Sequence, residues 1–284
     1  MNTTTADAAA ASTFALPENV GLAAPPPPLE GAALNPVPGW MDVLREQFSS
    51  VGLALKREGT ILGGFAALFT AFVMWAQVQG NAGGIPLSPQ AGVAAAVLAL
   101  LIPMAVWKGE DPAHRGYHHA MPVDQAAHAT ARTAAGLVWT LAGMAAFFGW
   151  MGLLSVATSG KVVAAEPWQW AAPFAGAAVM YLLGSALTLV TSHPWRWLGG
   201  GFVGWLFLNT GFRAIDATRP LVEGVNALLT GDYGLKTVLT GLVSNHQLGV
   251  ALIPDAGAWL TATFIWLAMA VTLFLWAAYR QPER

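Results

Sequence analysis

An all-α, multi-pass membrane protein is the fold class this sequence predicts, and three observations carry it. Only 10% of the 284 residues are charged and 55% are hydrophobic, against about 25% charged in globular proteins. The apolar residues fall in uncharged runs close to the ~20 residues that cross a hydrocarbon core about 30 Å thick. Those runs are continuous, whereas a transmembrane barrel would show alternating segments of about ten residues. Backbone polar groups in lipid must then pair within helices.

Taken in order, residues 1–39 are rich in Ala, Thr and Pro, with "APPPPLEGAALNPVPG" at 24–39. Consecutive prolines favour extended polyproline geometry and the tract has little apolar surface to pack, so a disordered cytoplasmic tail is expected. It lacks the basic start and apolar centre of a secretory signal. Residues 40–59 follow, in which Trp40, Leu44, Phe48, Val51 and Leu55 recur at helical spacing opposite Asp42, Arg45, Glu46 and Lys56. That pattern predicts an amphipathic helix lying in the membrane interface, with extension of the first span into water as the alternative.

The membrane domain, 60–284, is expected to hold six transmembrane helices, near 60–78, 91–107, 134–157, 171–191, 195–212 and 258–279. The fifth is the weakest, because Gly199, Gly200 and Gly201 lower its helix propensity. With the N-terminus inside, nine of the 13 Lys and Arg residues fall on inner segments and four on outer ones, Lys161, Arg213, Arg219 and Lys236. The positive-inside rule then puts both termini on the cytoplasmic side of the cell (inner) membrane. Tryptophans at span ends, among them Trp75, Trp107, Trp168, Trp195 and Trp259, fit an aromatic belt. The outer segment 213–257 contains two apolar stretches broken at Gly231-Asp232-Tyr233-Gly234. They suit either helices that dip back into the membrane or a solvent-exposed cap.

The wettest stretch is the cytoplasmic loop 108–132, within "WKGEDPAHRGYHHAMPVDQAAHATAR" at 107–132. Asp111-Pro112 starts a turn, and Pro122 suits a helix start. From there Asp124, His128 and Arg132 recur every four residues, which puts them on one face of a short helix leading into the third span. A polar face shaped in this way suggests a docking surface for another protein. Its bland counterpart is a solvated loop whose charges only fix topology.

The order "IPMAVWKGEDPAHRGYHHAMPVDQAAHATARTAAGLVW" resembles the first cytoplasmic loop of permease subunits of type-2 ATP-binding-cassette exporters. An apolar span ends in Trp, then come an acidic residue and an Arg, and Pro-Val precedes a short helix with His and Arg. Asp124 and Gln125 stand where a basic residue is expected in that pattern. The resemblance implies a permease that works as a homo- or heterodimer with a separate ATPase subunit, coupled through Glu110, Arg115, Asp124, His128 and Arg132. It also implies an interfacial N-terminal helix and broken outer helices before the last span.

The chain encodes no phosphate-cradling G-x-x-x-x-G-K-[ST] loop, so it carries no ATPase of its own. No nucleophile elbow or H-E-x-x-H pair is present, and zero cysteines exclude thiol chemistry. No catalytic, cofactor or metal residue is assigned. His114 and His118 would share a helical face with Asp111, Asp124 or Glu110 nearby, but Gly116 and Pro122 interrupt that helix, and an ordinary loop is the simpler reading. A net charge of −2 gives no case for nucleic acid. No predicted span holds a mid-membrane charge, which argues against a proton pump. The remaining alternative is a structural or assembly subunit of a larger membrane complex.

Overall fold

A computed structural model describes residues 39–80, 83–108, 125–211, 215, 217–245 and 250–280. The predicted tail, apart from Gly39, lies outside them, as do Glu110, Arg115 and Asp124. The described residues form helices α1 (Trp40–Val78), α2 (Val93–Leu98), α3 (Ile102–Val106), α4 (Gln125–Ala157), α5 (Pro167–Val190), α6 (Pro194–Thr210), α7 (Arg219–Thr230), α8 (Leu235–Thr240) and α9 (Ala256–Arg280). A small antiparallel hairpin of β1 (Val243–Asn245) and β2 (Val250–Leu252) precedes α9, with Val243 opposite Leu252. Four helices, α1, α4, α5 and α9, are long and apolar enough to cross a membrane.

Two predicted elements take a different form. Residues 40–59 are not a separate interfacial helix but the first half of the 39-residue α1. No proline interrupts the run, so the chain continues for about 58 Å at 1.5 Å per residue. Asp42 accepts a hydrogen bond from the Gly39 N–H at 3.2 Å and secures its start. The run 91–107 is broken instead of continuous. It consists of a 3-10 turn at Pro89–Gly92, then α2, then α3. Pro103 has no N–H to donate and its ring clashes with the carbonyl four residues back. The gap is carried by tighter bonds, Leu100 N–H to the Val97 carbonyl at 3.1 Å and Leu101 N–H to Leu98 at 2.9 Å.

α1 and α4 run in the same direction. Phe48 stacks on Trp139 at 5.1 Å, and the Trp139 indole donates to the Phe48 carbonyl at 3.1 Å. Further along, the Trp150 indole donates to the Thr70 hydroxyl at 3.0 Å. Beyond that contact lies the distal end of the bundle. There the Ile85 N–H donates to Thr158 Oγ1 at 3.0 Å, and Leu87 and Val162 form a parallel bridge. α5 and α9 both start at this end, with Trp168 and Trp259 rings 5.5 Å apart. Each start is secured locally: the Glu166 N–H donates to the Gln169 side chain at 2.9 Å, and Asp255 accepts from the Ala258 N–H at 2.6 Å.

α5 is the central helix. Val179, Leu182, Ala186 and Leu189 pack with Trp266, Ala270, Phe274 and Ala277 of α9, and the same cluster takes in Trp107, Ala129 and Val238. Small residues bring backbones close. A side chain at Gly184 would meet the Leu100 carbonyl, and one at Gly176 would lie 2.6 Å from Leu239 Cδ2. The outward side of α1, including Leu62, Phe65, Leu68 and Phe72, is exposed, as expected of a surface facing lipid chains. α6 differs from its neighbours in having no buried residue.

α7 and α8 form a hairpin that re-enters the bundle. The Trp266 indole donates to the Tyr233 carbonyl at 3.0 Å. Trp266 stands ten residues beyond Ala256, which is about 15 Å along the helix axis. That is half of a hydrocarbon core about 30 Å thick. Thr237 and Val238 are fully buried. Within segment 213–257 the hairpin packs its tip beside the middle of α9.

The Tyr181 hydroxyl occupies the place where a Cβ at Gly136 would stand. Gly136→Ala is therefore expected to lower stability by about 1–3 kcal/mol, the usual cost of overpacking. Gly199→Ala, where nothing lies within 4 Å of the new carbon, is expected to be neutral or slightly stabilising through helix propensity. Thermal unfolding in detergent, followed by tryptophan fluorescence, checks both.

Candidate functional site

The polar loop meets the bundle at the first turns of α4, and Arg132 is the residue that joins them. Its side chain is only 7% exposed. Nε and Nη2 both donate to the Val106 carbonyl, at 3.2 and 2.6 Å, and Nη1 donates to Gln47 Oε1 at 3.3 Å. The guanidinium carbon lies 5.4 Å from the centre of the Trp107 ring.

Each contact has a physical reason. Val106 ends α3, so its carbonyl has no partner in the next turn and carries part of the negative end of the helix dipole. A guanidinium presents its N–H groups as a planar fork and suits such an acceptor better than an ammonium does. The face of Trp107 attracts the cation further. Gln47, itself buried, draws α1 into the same corner. Arg132 can sit so deep because its neighbours are small: Ala129, Ala131, Ala135 and Gly136 are all buried around it.

The corner therefore ties α1, α3 and α4 together and fastens both ends of the 108–132 loop, Val106 just before it and Arg132 at its close. A polar layer lies beside it. The Thr133, Tyr181 and Ser185 hydroxyls and the Trp107 indole N–H are buried without a hydrogen bond of acceptable geometry. Among the described residues no group of three His, Asp or Glu side chains is placed to hold a metal ion.

Of the five residues assigned to partner coupling, His128 and Arg132 are described. His128 is half-buried one turn before Arg132. Arg132 is turned into the bundle, toward the Val106 carbonyl and Gln47. Sequence reasoning missed Gln47 and the inward direction of Arg132. The signal available was the Ala and Gly spacing "AHATARTAAG", the composition of a close helix contact. The turn expected at Gly231-Asp232-Tyr233-Gly234 does separate α7 from α8.

Arg132→Met is expected to cost about 2–3 kcal/mol, since it leaves the Val106 carbonyl and Gln47 buried without their donor. Arg132→Lys keeps the charge but loses the fork, and a smaller loss is expected. Lys108→Ala, at an exposed position, is expected to stay within about 0.5 kcal/mol. Equal melting temperatures for Arg132→Met and Lys108→Ala would show that the corner does not hold the helices.

No protein-family model, no curated protein and no solved structure matches this chain.

Proposed function

We propose that the chain is the membrane-spanning permease subunit of an ATP-binding-cassette exporter, paired as a dimer and driven by separate ATPase subunits. The observation that carries the reading is the Arg132 corner. A polar loop whose two ends are fastened to three helices passes a displacement from a soluble motor into the bundle instead of absorbing it. The resemblance of 102–139 to the coupling loop of such permeases supports the same assignment. In this reading α6, with 17 residues, and the broken α2–α3 rod are two further membrane crossings, making six. The end holding Arg132 faces the cytoplasm in the cell membrane, as does each terminus. Of the Lys and Arg residues placed outside, Lys161 then lies at the distal end beside Leu87, and Lys236 rides on the α7–α8 hairpin.

Glu110, Arg115, Asp124 and His128 are the residues through which the ATPase is engaged, and Arg132 holds their segment in place. A second reading, a structural subunit of a larger complex, is favoured by one observation. Gly200 and Gly204 on α6 stand in open space, and a G-x-x-x-G face is a helix-packing surface.

Gentle purification from the native membrane, with mass spectrometry of the proteins that accompany the chain, separates the two. A stoichiometric ATPase with a phosphate-binding loop is expected. A large assembly without one would replace the permease reading with the structural one. Given that ATPase, Asp124→Lys is expected to abolish transport in reconstituted vesicles while basal hydrolysis continues. Unchanged transport would remove Asp124 from the coupling surface.

A further inference from the structure

The tip of the α7–α8 hairpin places ionisable side chains beside the middle of α9, a helix long and apolar enough to cross a membrane. Asp232 and Tyr233 are exposed at the tip, and Lys236, the second residue of α8, is half-buried. The Tyr233 carbonyl is the group that Trp266 holds at mid-helix. Phe264 of α9, two residues from Trp266, is 73% exposed and faces away into the apolar surroundings. One level of the bundle thus carries a charged surface and an apolar one.

α7 continues the polar surface toward the distal end. Arg219, Glu223, Asn226 and Thr230 form one stripe along the helix, while Leu221 and Leu228 lie on the opposite, exposed side. Arg219 and Glu223 pair at 2.9 Å with side chains 64% and 66% exposed. Asn226 donates to Asn209 Oδ1 of α6 at 3.0 Å. Intramembrane charges of this kind face a protein interior or a water-filled cavity, because exposure to hydrocarbon costs several kcal/mol per group.

We propose that the polar stripe of α7 and the hairpin tip line a water-filled vestibule that opens at the distal end and reaches the bilayer midplane. Arg219 and Lys236 balance Glu223 and Asp232, so the vestibule suits polar or zwitterionic groups without net charge. The inference stands on the re-entrant geometry and holds whether or not an ATPase drives the chain.

The chain contains no cysteine, so single cysteines can be introduced into the otherwise unaltered protein. Tyr233→Cys, Asp232→Cys, Phe264→Cys and a distal marker, Lys161→Cys, are reacted in sealed membranes with membrane-impermeant thiosulfonates, one cationic and one anionic. A thiol in hydrocarbon stays protonated and unreactive, so Tyr233→Cys is expected to label at least about tenfold faster than Phe264→Cys. It should label from the same side as Lys161→Cys. Fast labelling of both Tyr233→Cys and Phe264→Cys would put the tip outside the bilayer. Slow labelling of Tyr233→Cys and Asp232→Cys would put it in lipid or packed protein. Either result overturns the vestibule. Charge balance predicts that the two reagents react with Tyr233→Cys within about threefold of each other, and a preference above about tenfold would overturn that part.

Discussion

Close approach of backbones around α5 is the constraint on which the rest of the fold depends. Between helices in lipid the hydrophobic effect offers no net drive, because the chains of the solvent are as apolar as Leu, so dispersion contacts and hydrogen bonds must hold the bundle. α5 meets this with small residues facing each neighbour. Gly184 admits the carbonyl of Leu100 where α2 gives way to α3, and Gly176 admits Leu239 of the hairpin. Tyr181 returns the contact by filling the space over Gly136 of α4. Were α5 rich in Leu at these positions, neither the broken rod nor the hairpin would reach the core.

The two polar positions of interest solve the same problem differently. Arg132 is taken out of water completely, and its cost is offset by a helix-terminal carbonyl, an amide oxygen and an aromatic face. A guanidinium presents its N–H groups as a planar fork that such acceptors match well. Asp232 follows the opposite course and remains on the surface. The first arrangement rigidifies a corner. In the proposed vestibule, the second brings solvent inward along the chain.

The membrane class and the long helices were legible because they rest on composition and run length. The break at Pro103 was also written in the chain, but the apolar run 91–107 around it reads as continuous when hydropathy alone is followed. The junction at 59–60 misled for the opposite reason: a change from amphipathic to fully apolar reads as a boundary, yet nothing in the backbone stops the helix there. Arg132 was placed correctly on its helix and wrongly on its face, since spacing by four with Asp124 and His128 says which residues align but not which way they look. The depth of Asp232 was the least legible feature. It follows from one indole hydrogen bond between segments 33 residues apart, and no local pattern encodes such a pairing.

Fastening the loop at both ends separates its length from the stability of the bundle. Val106 and Arg132 hold the ends of α3 and α4 together through one carbonyl, so the length of the chain that joins those helices enters stability mainly through the entropy of closing it. That term grows slowly, by about 0.6 kcal/mol for each doubling of loop length. Trp107 and Ala129 stand between the same anchors and belong to the core, so those two positions keep their packing role whatever the length of the chain that joins them.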